Sequence, residues 1–353
     1  MRKCSINDIK GGEILASPIL TSEYQILLTE GTVLQASYVE KFRNLEIETV
    51  YIQEESEKER TEEEIREFQR KTQHKVKKQV RRILETHIYQ RNEELQELDK
   101  AATELIDDIL KEKNVTDQLI EMEERSADLY EHAISCCVLS TILSLRLQIE
   151  KEKVHAISVG CLLHDVGLRY ISTPYHEIEL EELPENQRTE YRKHTVYGYS
   201  SIEKESWLDD ISKNIILSHH EREDGSGYPF HTKKLSEEIG IVTVCDAFDE
   251  MVCGIGCRRM KTYKAIEYLK FFKNVKFNGK IVDEFLKILA SYPVGSHVLL
   301  NTGMIGVVIK QNNGFPERPV LRILKDTAGN PIFKEQVLDL LTENSVFIED
   351  VIN

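Results

Sequence analysis

The stretch His219-His220-Glu221-Arg222-Glu223-Asp224-Gly225-Ser226-Gly227-Tyr228-Pro229 decides how this chain is read. It follows the apolar run Ile215-Ile216-Leu217, so the two histidines close a helix that Asp-Gly, Ser-Gly and a proline then break sharply. Consecutive histidines on a helix diverge by about 100°. They serve best where two ions, or an ion and a substrate phosphate, lie on either side. Upstream stand Asp128, His132, the dipeptide His164-Asp165 and His194, and downstream stands Asp246. Of 11 histidines in 353 residues, eight (positions 132, 155, 164, 176, 194, 219, 220 and 231) fall within one stretch of 100 residues. That concentration of imidazoles and carboxylates predicts a metal site.

Spacing sharpens the expectation. On one helix, Asp128 and His132 stand at i and i+4, so both side chains project from the same face and can reach one ion. His164-Asp165 ends the apolar helical run Val154–Leu163. There the imidazole can serve one metal while the two carboxylate oxygens bridge to a second, as hydrolysis of a phosphodiester by ions about 3.5–4 Å apart requires. Burying several ionisable groups side by side without partners is costly, and a metal satisfies them together. Imidazoles mixed with hard carboxylates, and no cysteine at a ligand position, favour iron, manganese or zinc over copper. His74, His87, His155, His176, His231 and His297 read as ordinary core or surface residues.

Around this centre the texture of the chain changes twice. Residues 1–52 alternate short apolar runs with turn signals and read as a small β-rich module, and residues 53–124 as a charged helical linker with leading helices. In the linker helix, about 54–90, the apolar positions fit either pairing with a second copy, as a homodimer, or packing onto the helical domain. Residues 125–292 carry helical spacing throughout, as in Leu129, Ala133, Cys136, Cys137 and Ser140. After Tyr292-Pro293, the runs Val298–Leu300, Ile305–Ile309 and Val320–Leu324 are β-type, marking a small β-rich C-terminal module over 293–353. The fold class read from this is mainly α: an all-helical domain between two small β-rich modules.

Composition narrows the partners. A net charge of −15 argues against a duplex nucleic-acid footprint or an anionic membrane surface, so any polyanion must enter a focused site. No window approaches 18 consecutive apolar residues, the first eight residues lack a hydrophobic signal core, and seven cysteines without a C-x-x-C fit reduced thiols; the expected location is the cytoplasm.

Taken together, His132, His164-Asp165, His194 with Gly198, the H-H-E-x-x-D-G-S-G-Y-P run at 219–229 and Asp246-Ala247-Phe248-Asp249 resemble the HD-GYP domain, a branch of the HD phosphohydrolase superfamily. The resemblance covers about 125–290. It implies an all-helical domain holding two or three divalent ions, iron or manganese, that hydrolyses the second messenger cyclic di-GMP, or a related cyclic dinucleotide, to pGpG or GMP through a metal-bridging hydroxide. His132, His164, Asp165, His194, His219, His220 and Asp246 fall on the family's metal ligands, Asp128 falls where the family often has a glutamate ligand, and Asp165 is the expected catalytic bridge. Tyr228 and Pro229 shape the loop that names the family, and Tyr228 is an expected substrate-binding residue.

Two departures bear on activity. Where the family reads H-D-x-G-K, this chain has Leu168, which cannot neutralise charge on a phosphorane, so reduced turnover is expected. Arg169, next to it, would point about 100° away. In place of the family's R-P-Y segment stands Cys253–Lys261, whose Arg258, Arg259 or Lys261 is the candidate substrate-binding cation. An impaired cyclic-dinucleotide sensor or protein-interaction module that keeps its metals is the competing expectation, and a general nucleotide phosphohydrolase a weaker third.

Overall fold

The computed structural model describes residues 2–6, 9–13, 15, 19–20, 26–28, 32–35, 37–45, 47, 49–52, 96–111, 119–122, 128–332, 334 and 336–352. The linker helix expected at about 54–90, and the homodimer pairing attached to it, lie outside the described residues. The chain divides into two compact units, Met1–Lys71 and Thr72–Asn353.

In the first unit, strand β1 (Arg2–Ser5) pairs antiparallel with β4 (Thr49–Ile52), and β2 (Ile19–Leu20) with β3 (Ile26–Leu28). Helix α1 (Tyr38–Asn44) contributes Phe42 to a small core with Ile6, Ile9, Leu15, Leu34 and Val50.

Helices α2 (Gln96–Lys111), α3 (Leu129–Arg146), α4 (Lys151–Leu163), α5 (Glu185–Arg192), α6 (His194–Ile202), α7 (Asp210–Ser218), α8 (Glu237–Cys253), α9 (Thr262–Phe271) and α10 (Gly279–Ile288) build the second unit. Helix α8 is its axis. Ser236 caps its N-terminus, Glu237 and Glu238 complement the dipole in its first turn, and Gly254 ends it in the left-handed conformation at φ 77°. Between these ends α8 is buried almost all round, against α3, α4, α7, α9 and α10. Its inward apolar residues, among them Ile241, Val244, Phe248 and Val252, join Leu139, Leu143, Ile157, Ile215 and Phe285 in one continuous core. A 3₁₀ turn over Val166–Tyr170 follows α4 and packs against α6.

The C-terminal strands β5 (His297–Leu300), β6 (Ile305–Lys310), β7 (Val320–Lys325), β8 (Val337–Asp339) and β9 (Ile348–Ile352) form an antiparallel sheet in the order β8-β7-β6-β5-β9. Alternate residues Val298, Leu300, Val308, Leu321 and Ile323 point into its core, as the period of two requires. The sheet is tied to the helices by Lys261 Nζ donating to the Val351 carbonyl (2.6 Å), Tyr263 Oη donating to Asp350 (2.7 Å) and Gln311 Nε2 donating to Glu121 (3.1 Å). Among the described residues no helix is long and apolar enough to cross a membrane.

Candidate metal centre

Five imidazoles and three aspartates converge where α3, the end of α4, the start of α6, the end of α7 and the middle of α8 meet. His132, His164, His194, His219, Asp246 and Asp249 are each 0% exposed, and Asp165 and His220 are nearly so. Two close backbone approaches bring the elements together. At Gly167 a Cβ would sit 1.9 Å from the His194 carbonyl oxygen, so only glycine lets the turn after Asp165 press against α6. A Cβ at Gly227 would meet the His220 carbonyl at 2.3 Å, which folds the loop back over the histidine pair. Glu221, fully buried, locks that loop by accepting the backbone N–H of Phe230 (2.6 Å) and of Thr232 (2.9 Å).

The hydrogen bonds fix which nitrogen of each ring faces inward. His164, His194 and His219 donate Nδ1–H to the carbonyls of Cys161 (2.6 Å), Tyr191 (2.7 Å) and Ile216 (3.1 Å). His132 donates Nδ1–H to Asp249 Oδ2 at 2.8 Å. All four therefore turn Nε2 toward the cluster, the orientation that carbonyl and carboxylate partners impose on metal-ligating histidines. His132 and His164 approach Nε2 to Nε2 at 3.1 Å, and His194 and His219 at 3.2 Å. With Nδ1 committed elsewhere, the neutral rings bring lone pairs face to face, a repulsion that a proton or cation relieves.

Asp165 spans the two pairs. Its Oδ2 lies 3.4 Å from His164 and 3.7 Å from His132, while Oδ1 lies 3.4 Å from His194 and 3.6 Å from His219. Asp246 Oδ1 is 3.1 Å from His132 and 3.3 Å from His164. Two of the resulting groups, His132–Cys136–His164–Asp246 and Asp165–His194–His219–His220, have ligand atoms close enough to share an ion, and a third, His220–Asp246–Glu250, adjoins them. His220 Nε2 and Asp246 Oδ2 are buried without a hydrogen-bond partner, as atoms kept for an ion would be.

Protonation splits the cluster. Burial works against a charge on His164, but Asp165 and Asp246 outweigh it and push its pKa up to about 10. His132 is raised too, burial again being overcome, by Cys136, Asp246 and Asp249. Burial, reinforced by His219, pulls His194 down to about 4 and His220 well below its usual value. Both Asp165 and Asp246 stay well below the carboxylate range because their histidine partners overcome burial. Without cations, protons on one half of the cluster thus balance the carboxylates.

Seven of the eight expected ligands, His132, His164, Asp165, His194, His219, His220 and Asp246, meet here; Asp128 does not join the groups. It lies just before α3 with extended backbone, where its carboxylate caps the helix by accepting Glu131 N–H (2.9 Å), so the helical i and i+4 premise fails. A cysteine, contrary to expectation, does sit beside the cluster: Cys136 Sγ is 3.8 Å from His132 Nε2, its thiol kept protonated by burial. Asp249, quoted in the motif at 246–249 but given no role, orients His132, and Glu250, 3.9 Å from His220 Nε2, was missed outright. Their signal was present, because Asp246, Asp249 and Glu250 at spacings of three and four share one face of α8.

A cavity of about 330 Å³ opens on the cluster at His220 and Glu250 and is also lined by Tyr228, Arg192, Arg222 and Lys276. Tyr228 stacks on His220 with ring centroids 4.7 Å apart. The expected cations Arg258, Arg259 and Lys261 are engaged elsewhere. Left-handed turns at Gly254 and Gly256 swing their segment against residues 175–182, where Arg258 pairs with Glu182 (2.7 Å) and Arg259 with Glu177 (2.8 Å), and Lys261 reaches Val351. Leu168 is buried, and neither it nor Arg169 lines the cavity.

Residues 80–281, more than half of the chain, match the HD domain family, and residues 297–353 match a KOW domain associated with HD domain. The chain belongs to the HD-domain family, HD-GYP type. This HD-domain chain is 26% identical over 249 residues to a protein named cyclic di-GMP phosphodiesterase from Pseudomonas aeruginosa, spanning 68% of this chain and 59% of that one. It is 28% identical over 171 residues to a cyclic di-GMP phosphodiesterase from Thermotoga maritima, spanning 47% and 46%. It covers roughly half the length of these relatives. Among solved structures, the HDG"Y"P protein Bd1817 from Bdellovibrio bacteriovorus shares the fold, with a TM-score of 0.51, 15% identity and coverage of 80% of this chain and 97% of that one.

Proposed function

We propose that this HD-GYP chain is a metal-dependent phosphodiesterase that hydrolyses cyclic di-GMP to pGpG, or onward to GMP, with two or three iron or manganese ions. The observation that carries the reading is the pair of inward-facing Nε2 couples with one Asp165 oxygen toward each, beside buried, unpartnered donor atoms of His220 and Asp246. Their chemistry fits hard or borderline divalent ions. His132, His164, Asp165 and Asp246 would hold one, Asp165, His194, His219 and His220 a second, and Glu250 with His220 and Asp246 a third. Bound there, the ions would supply positive charge to the phosphate oxygens and acidify a shared water. The protein's part is to hold Asp165 between the two sites, fix each ring through its Nδ1 bond, and wall off the cluster with Tyr228.

The names of the relatives support the substrate, and the cavity offers it an entrance at His220. Leu168 favours a second reading, a cyclic-dinucleotide sensor that keeps its metals and turns over slowly or not at all. We further take 1–52 as a small β-rich module, 53–124 as linker and leading helices, 125–292 as the catalytic domain and 293–353 as a C-terminal β module, with the free cysteines fitting a cytoplasmic setting. Anaerobically metal-loaded protein incubated with cyclic di-GMP is expected to yield pGpG. Tight binding without product would replace the first reading with the second.

A further inference from the structure

Of the three cations that line this cavity among the described residues, Arg192, Arg222 and Lys276, the first is paired with an acid and the other two are not. Arg192 contacts Glu181 at 3.4 Å, and Arg258 and Arg259 have the partners given above. For Arg222 and Lys276, no carboxylate oxygen lies within 4 Å among the described residues, although the chain carries a net charge of −15. Glu250 on the same cavity feels Arg222, and Asp224 feels Lys276, only from beyond ion-pair distance, so both cations keep donors for an anion from outside.

Both are held ready. Arg222 Nη1 donates to the carbonyls of His219 (3.2 Å) and Glu221 (2.9 Å), which anchors one corner of the guanidinium and leaves its other donors for a ligand. Its carbon lies 5.3 Å from the Phe277 ring centroid. Lys276 Nζ donates to Tyr268 Oη (3.2 Å) and sits 4.1 Å from the Phe272 ring centroid. Glu223 N–H donates to the Lys276 carbonyl (3.0 Å), so the backbone itself ties the two cation-bearing segments side by side.

We infer that Arg222 and Lys276 form the subsite for the phosphate of a cyclic dinucleotide that is not being cut. The inference rests on the phosphodiesterase reading above. A cyclic dinucleotide carries two singly charged phosphodiesters. With one over the histidine–aspartate cluster, the other needs a positive wall on the same cavity, and neither Leu168 nor the Cys253–Lys261 loop supplies it. A mononucleotide, with its phosphate over the cluster, has no second phosphate to make these charge-assisted contacts.

The test is the affinity of metal-loaded protein for fluorescently labelled cyclic di-GMP, read by anisotropy, with pGpG formation assayed in parallel. Arg222→Gln and Lys276→Gln should each weaken binding by about tenfold or more, the scale of a lost hydrogen bond to a charged group. Lys276→Arg should restore most of it, and Arg258→Gln and Arg259→Gln should bind as the parent does. Arg222→Gln risks loosening the end of α7, so Lys276→Gln carries the result independently. Unchanged affinity in both glutamine variants, equal losses at Arg258, or a parent protein that does not bind the labelled dinucleotide would each overturn the subsite. Binding that depends on Arg222 and Lys276 without any pGpG would support the subsite while removing the catalytic reading.

Discussion

The C-terminal sheet encloses Val298, Leu300, Val308, Leu321, Ile323 and Leu340, all apolar, whereas the helical domain encloses five histidines and three aspartates at its centre. The sheet core gains stability simply by removing hydrocarbon from water, about 25 cal/mol per Å². The helical centre works against itself, since each buried ion costs several kcal/mol of desolvation unless it is paired. Four of the five rings there are nonetheless steered by a named partner: Cys161, Tyr191, Ile216 and Asp249. A fold spends so many steering bonds on a polar interior when that interior must bind something, and the surrounding apolar core of α8 carries the cost.

The contrast is broken most directly at Asp165, among the described residues the only carboxylate with an oxygen toward both histidine couples. Asp165→Ala is expected to lower metal affinity by more than about a hundredfold and to abolish cyclic di-GMP turnover. Elemental analysis beside a pGpG assay measures both. A variant that kept its full metal complement and its activity would make the cluster an ordinary paired core.

Asp249 tests the steering itself. It accepts the Nδ1–H of His132 at 2.8 Å. Asp249→Ala should therefore leave the helical fold intact by circular dichroism and reduce metal affinity by about 10- to 100-fold, the effect of losing a partner behind a ligand. If affinity is unchanged, packing alone orients His132.

Much of this contrast was legible before any coordinates. The histidine-rich motifs, the helical spacing of 125–292 and the β-type runs of β5, β6 and β7 are local signals, because each depends on residues a few positions apart. Asp128 misled because spacing alone cannot tell the first helical residue from the capping residue before it. The cavity cations were illegible for a different reason. Arg222 and Lys276 lie 54 positions apart, and what joins them is one backbone hydrogen bond between loops. Arg258 and Arg259 looked available because their partners, Glu182 and Glu177, come from a distant segment that only the turns at Gly254 and Gly256 bring near.

Protons and metal ions compete for the same lone pairs, which gives a pH dependence of definite sign. In the cation-free protein His164 titrates at about 10, so over pH 6–9 it must lose a proton before Nε2 can bind. His194, at about 4, is already neutral there and contributes nothing. Metal affinity should thus rise with pH through this range by about tenfold per unit for each proton displaced, levelling off only above pH 10. Calorimetry in buffers of different ionisation enthalpy counts the protons released; an affinity independent of pH would mean that the buried acids are not holding His164 protonated.

At the other end of the scale lies Leu321, fully buried in β7 among apolar neighbours. Leu321→Ala should destabilise the sheet by about 2–5 kcal/mol through lost burial and the cavity left behind. Metal content should not move, because the ties between sheet and helices at Lys261, Tyr263, Lys270 and Gln311 involve no residue of the cluster. The single tryptophan, Trp207, packs against the helical core and reports that region alone, while amide exchange in β5–β9 reports the sheet. Faster exchange in the strands with an unshifted Trp207 transition would show two interiors that fail separately. A common shift would mean that the sheet braces the metal-binding helices, and the polar centre would then owe part of its order to the apolar one.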